Sequence, residues 1–139
     1  MKKFFVLCIL SLALFACTPK PSPICVNHTD SLICQYIPDP LQADLVLRIA
    51  NLEAIKNNVY TKQQALIAID KIETAVNSTI TYSDILILTN EYIKQLGPEI
   101  IVVTSTFDKL NQNIPISDYD KKLIIAHLER QKQVINLIN

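Results

Sequence analysis

One glycine, Gly97, is all that the 139 residues contain; tryptophan is absent, and there are only two arginines, Arg48 and Arg130. Each scarcity excludes something. A P-loop or a G-x-G-x-x-G turn needs several backbone positions free of a Cβ, so neither phosphate-cradling motif can be written here. Tight β-hairpins lean on glycine for their positive-φ positions, which argues against a barrel or a sandwich. Net charge is missing as well, since 13 Lys+Arg balance 13 Asp+Glu and charged residues make up only 19% of the chain. A nucleic-acid partner calls for a basic footprint, and a disordered tail calls for low hydrophobicity with high net charge. Half of this chain is apolar, so neither description fits. The length is that of one domain.

What is present is unevenly placed. Met1-Lys2-Lys3 carries two positive charges and precedes an uncharged run from Phe4 to Phe15. Those twelve residues are too few to span a bilayer, which takes ~20, but they suit the apolar region of a signal peptide. The run closes on Leu14-Phe15-Ala16-Cys17. That ending resembles the lipobox of bacterial lipoproteins, in which a small residue precedes the cleaved bond and the next cysteine takes the lipid. The resemblance covers the leader alone. It implies that residues 1–16 are a signal peptide and that Cys17 becomes the mature N-terminus, thioether-linked to diacylglycerol and palmitate-bearing. An Asp after the cysteine resembles an inner-membrane retention signal; Thr18 stands there instead, implying outer-membrane sorting where the organism has an outer membrane. The alternative is an ordinary secretory signal cut after Ala16, leaving Cys17 an unmodified thiol.

Under this reading Cys8 leaves with the signal and Cys17 takes lipid, so Cys25 and Cys34 remain. Two thiols in an exported chain favour a disulfide. Closing their ten-residue loop stabilises by roughly 2.7 kcal/mol in the chain-entropy model. His28 lies between them and offers a metal reading with both cysteines as ligands. Structural zinc takes four ligands, and only the distant His127 is left to supply the fourth. We therefore expect the disulfide, with no metal and no cofactor. Asn27-His28-Thr29 and Asn77-Ser78-Thr79 match the N-glycosylation pattern, a coincidence in a chain with a bacterial leader.

The expected mature chain, 17–139, carries a net charge of −2 once Lys2 and Lys3 are removed. Proline at every second position of Thr18-Pro19-Lys20-Pro21-Ser22-Pro23 favours polyproline II, a semi-rigid tether reaching roughly 20 Å. Residues 17–38 thus read as lipidated N-terminus, tether and disulfide loop, and 39–139 as a helical domain.

Helix punctuation recurs from residue 39. Asp39-Pro40 places a good cap before a proline at the first helical position, and Leu41, Leu45, Ile49 and Leu52 follow at helical spacing to about Asn57. Thr61 with Gln64 has the form of a capping box, and Ala65, Ile69, Ile72 and Val76 make the next buried stripe. A third helix starts at Thr81-Tyr82-Ser83-Asp84, carries Ile85, Leu88, Tyr92 and Leu96, and stops at Gly97-Pro98. Residues 99–111 are β-branched at Ile100-Ile101-Val102-Val103-Thr104. Ile100, Val103, Phe107 and Leu110 keep helical spacing, though, and no second strand is available to pair, so a buried helix is expected. Ser117-Asp118-Tyr119-Asp120 caps the last helix, through about residue 137, with Ile124, Leu128, Ile135 and Ile138 as its stripe. The expectation is an all-α fold, a compact bundle of about five helices after a Pro-rich tether.

Chemistry is harder to find. His127 sits beside the apolar face of the last helix, and no G-x-S-x-G elbow accompanies it, so it reads as a boundary histidine. Asp118 and Asp120 suit a helix N-terminus and can pair with Lys121-Lys122, while Glu91 with Lys94 or Gln95, and Glu129 with Lys132, read as solvated pairs. The five tyrosines fall near element ends and read as core-edge packing. No catalytic residues are assigned. The function expected is a membrane-anchored, non-catalytic binding or assembly module with a protein partner in the cell envelope. An envelope enzyme or accessory subunit acting on cell-wall or lipid material, and a phage-exclusion lipoprotein, are the alternatives. Val134, Ile135, Leu137 and Ile138 cover most of the terminal helix's circumference. They either wedge the chain end into the bundle or form an interaction surface.

Overall fold

The computed structural model describes residues 22–37, 39–78, 80–93 and 109–139, with side chains described up to residue 90 in the third stretch. Cys17, the leader, most of the tether and residues 99–108 of the expected fourth helix lie outside it. A 3-10 turn, Pro23–Cys25, leads to a short helix α1 (Leu32–Tyr36), then α2 (Pro40–Lys56), α3 (Lys62–Asn77), α4 (Tyr82–Ile93) and α5 (Asp118–Asn136). Among the described residues there is no strand, only an isolated antiparallel bridge between Thr81 and Pro115.

Side-chain caps decide where the helices begin. The Asp39 carboxylate accepts from Leu41 N and Gln42 N, both at 3.2 Å, with Pro40 in the first turn. Thr61 and Gln64 complete a reciprocal capping box, satisfying two amides that the helix itself cannot. Thr81 and Asp84 do the same for α4: Thr81 N donates to Asp84 at 2.9 Å, and Asp84 N donates to the Thr81 hydroxyl at 3.2 Å. Ser117 caps α5 through Asp120 N.

The scarcity of glycine shows at the end of α2. Asn58 adopts φ 56°, the left-handed position that glycine usually fills. It donates to Ile55 O at 3.1 Å and Val59 N donates to Ala54 O at 2.9 Å, the paired bonds of a Schellman motif. Asparagine tolerates this conformation better than other residues with a Cβ.

The core runs through α3. Ala65, Ile69, Ile72 and Val76 are all buried, and they pack with Ala54, Ile55, Tyr60, Tyr82, Ile85, Leu128 and Ile135. α5 lies against α3 and α2, and α4 lies against α3. α3 and α5 run antiparallel, for Lys62 at the start of α3 donates to the carbonyls of Asn136 (3.2 Å) and Ile138 (2.9 Å) at the end of α5. A cation placed there meets the negative end of the helix dipole.

Several expectations need correction. In α2, Leu41 and Leu45 are each 48% exposed, while Asp44 and Asn51 are buried; the helix presents a polar face, not its leucine stripe, to α5. Leu88 of α4 is exposed. Lys109, Leu110 and Asn111, the described end of the expected fourth helix, form a turn and an irregular stretch. Segment 22–37 packs on the same core as the long helices: Leu32 belongs to it, and Ser31 and Ile33 are buried. α1, five residues long, is too short to show a helical period in the sequence.

Candidate functional site

The α2–α5 interface gathers the chain's unusual polar residues. Helical spacing puts Asp44, Arg48 and Asn51 on one face of α2, and His127, Arg130 and Gln131 on one face of α5. Asp44 is the hub. Its Oδ1 pairs with His127 Nδ1, while its Oδ2 accepts from Arg130 Nε at 3.0 Å and forms an ion pair with Arg48 Nη2 at 3.2 Å. Both arginines of the sequence therefore converge on one carboxylate oxygen. From His127 the network continues inward. The second ring nitrogen lies 3.4 Å from the Gln131 amide, whose Oε1 accepts from Asn51 Nδ2 at 2.9 Å, and Asn51 Oδ1 accepts from the Tyr60 hydroxyl. Buried polar groups carry a desolvation penalty unless paired, and this chain of bonds pairs them across two helices.

The electrostatics follow from that geometry. Burial is the largest single influence on Asp44 and raises its pKa. Hydrogen bonds and charge from His127 and Arg130 together outweigh it, holding the carboxyl below its ordinary range. The side chains also differ in depth: Asp44 is 6% exposed, Arg48 25% and Arg130 39%. The anion is inside and the cations face water.

A second cluster ties the disulfide segment to the bundle. Asp120, fully buried at the third position of α5, accepts from the Ser31 hydroxyl, from Ile33 N at 3.2 Å and from the Tyr82 hydroxyl at 2.6 Å. The Ser31 oxygen in turn accepts from Cys34 N at 3.0 Å, capping α1. Burial, then the bond to Asp120, pushes the Tyr82 phenol above its ordinary pKa, so the hydroxyl stays protonated as the donor. This is a clasp joining α1, α4 and α5. Asp120 thus bonds to Ser31, Ile33 N and Tyr82 rather than to the Lys121-Lys122 pair that its helix position also allows, and Asp118, two residues earlier, is the exposed one.

The sequence-expected residues fall as follows. Cys25 and Cys34 lie at disulfide distance, with an S–S separation of 2.06 Å and Cα atoms 5.5 Å apart. His28 does not join them. Its ring stacks on Tyr119, centroids 3.3 Å apart, and Tyr119 donates to Ile24 O. Among the described residues no group of three or more His, Cys, Asp or Glu is placed to hold a metal. Lys132 pairs across to α3, with Asp70 at 2.7 Å and with Glu73, rather than along its own helix with Glu129. Of the terminal residues, Ile135 is fully buried, Ile138 packs on the core, Val134 is half-buried and only Leu137, 80% exposed, faces outward. The end of the chain is wedged, and an interaction surface made of all four is not what the structure presents.

Asp44, Arg48, Asn51 and Arg130 were missed by sequence reasoning. The available signal was three polar residues at i, i+4 and i+7 along α2, where an apolar stripe would be the ordinary finding. An Asp–His pair is also two members of a nucleophilic triad, but the nitrogen that would activate a serine faces the Gln131 amide instead. Among the described residues no helix is long and apolar enough to cross a membrane. Comparison of the chain with protein-family models, curated proteins and solved structures gave no match.

Proposed function

We propose that the chain is a bacterial lipoprotein, held to an envelope membrane through lipid on Cys17, whose helical domain is a non-catalytic binding or assembly module. The observation that carries this reading is the leader: two lysines, an uncharged run of twelve residues, and Leu14-Phe15-Ala16-Cys17. The domain supports it through what its polar residues do. Asp120 clasps three helices, and Asn51, Gln131 and Tyr60 are tied to one another, so these groups hold the bundle together rather than converge on a reacting atom. A rigid domain on a short tether suits a partner held close to the membrane. The expected partner is a protein of the envelope, at the outer membrane where there is one.

The test is isolation of the full-length protein from gently solubilised membranes, wild type beside Cys17→Ser. The reading expects a stoichiometric protein partner that is recovered with wild type and reduced with Cys17→Ser. Hydrolysis of cell-wall or lipid material that His127→Ala abolishes would contradict it and establish the enzyme alternative, which the Asp44–His127 contact favours.

A further inference from the structure

We infer that Arg48 and Arg130 form an oxyanion-binding site of the phosphate class on the α2–α5 face. Two guanidiniums share one carboxylate, and even with a neutral imidazole the cluster carries one excess positive charge. Both arginines reach the same Asp44 oxygen, so two like charges are held side by side, an arrangement that a second anion relieves.

Donor capacity points the same way. Each guanidinium has five N–H groups in a planar fork. Arg48 sets Nη2 against Asp44 and has its Nε buried away from solvent, so what it can offer an anion lies at the outer end of the guanidinium, while Arg130 commits Nε. The terminal amino groups of Arg130 have no acceptor among the described residues. A tetrahedral oxyanion presents several acceptors at once and suits two forks, which is why arginine recurs at phosphate sites. Access is right as well, because the carboxylate that would repel an anion lies beneath the cations.

The site's border narrows the source. Leu41 and Leu45 occupy the helical positions beside Arg48, each 48% exposed. An anionic group with apolar chains attached, a phospholipid headgroup, would use both features; free phosphate would use the arginines alone. The inference concerns the folded domain and stands whether or not Cys17 carries lipid.

The experiment titrates the full chain in neutral detergent at low ionic strength with inorganic phosphate and, separately, with soluble dihexanoyl phosphatidylglycerol, following amide NMR shifts. Dihexanoyl phosphatidylcholine is the control for chain binding without net charge. The inference expects saturable shifts on α2 and α5, with affinity falling about tenfold in Arg130→Gln and unchanged in Lys122→Gln. Arg130→Lys, which keeps the charge but not the fork, should fall in between. Tighter binding of the phosphatidylglycerol identifies a headgroup site, and tighter inorganic phosphate identifies a free-anion site; either result supports the inference. Absent or non-saturable shifts, or equal binding by folded Arg130→Gln, Arg48→Gln and wild type, overturn it.

Discussion

Ser31 and Asp120, 89 residues apart in sequence, are hydrogen-bonded with both side chains fully buried. The serine also caps α1, beside the cysteine that pairs with Cys25, so one carboxylate fixes the disulfide segment onto the bundle. Asp120→Ala leaves the Ser31 hydroxyl, Ile33 N and the Tyr82 hydroxyl without their acceptor. We expect a loss of roughly 3–5 kcal/mol in urea unfolding of the full chain, since a buried network is broken from one side. Asp120→Asn, of the same shape, should lose less. A loss within about 0.5 kcal/mol for Asp120→Ala, the range of an ordinary surface change, would contradict the clasp.

The chain end makes a sharp pair of predictions. Ile135 is 0% exposed and Leu137 is 80% exposed, two residues apart. Ile135→Ala should cost about 2–5 kcal/mol through the cavity it opens, whereas Leu137→Ser should stay within about 0.5 kcal/mol. Deleting residues 134–139 should lower the melting temperature sharply, because it also removes the carbonyls of Asn136 and Ile138 that Lys62 caps. Unchanged melting of the deletion would return the terminus to an interaction surface.

How legible these features were depended on whether one segment or two were needed to specify them. In α3, Thr61 and Gln64 form a local cap, and Ala65, Ile69, Ile72 and Val76 keep apolar spacing with no competing polar residue; the observed burial follows that pattern. In α2, the same reasoning selects Leu41 and Leu45, and the structure buries Asp44 and Asn51 instead. A buried carboxylate is tolerable only because α5 brings His127 and Arg130 to it, and that pairing is a property of two distant segments. Lys132 illustrates the same point, choosing Asp70 and Glu73 on α3 over Glu129 on its own helix. The Cys25–Cys34 pair, by contrast, could be read by counting.

Acid should act through Asp44. Its folded pKa is depressed below the ordinary 3.8, so its contribution is fully present above that value and is lost as pH falls through the folded pKa. The stability difference between wild type and Asp44→Asn, followed by urea midpoints, should therefore narrow below about pH 4. At the alkaline end the sign reverses. Lys132, bonded first to Asp70 and then to Glu73, is raised above 10.5, so its contribution is present below that value and lost as pH climbs through the raised pKa. A wild-type advantage over Asp44→Asn that grew on acidification would contradict the assignment of Asp44.

Reducing the Cys25–Cys34 pair should destabilise the domain by roughly 2–3 kcal/mol on the chain-entropy argument, without unfolding α3 or α5 at room temperature. Thermal melts of the full chain with and without reductant read this directly. Cys25→Ser with Cys34→Ser should match the reduced protein. Zinc that restored the reduced protein's melting temperature would revive a metal role for Cys25, His28 and Cys34.

Attachment to a membrane turns on Cys17. Mass spectrometry of the mature N-terminus, taken from membranes of cells expressing the full chain, tests it most directly. We predict a chain beginning at Cys17 with diacylglycerol on its sulfur, and loss of membrane partitioning in Cys17→Ser. A mature chain starting at an unmodified Cys17, or one retaining residues 1–16, would contradict it.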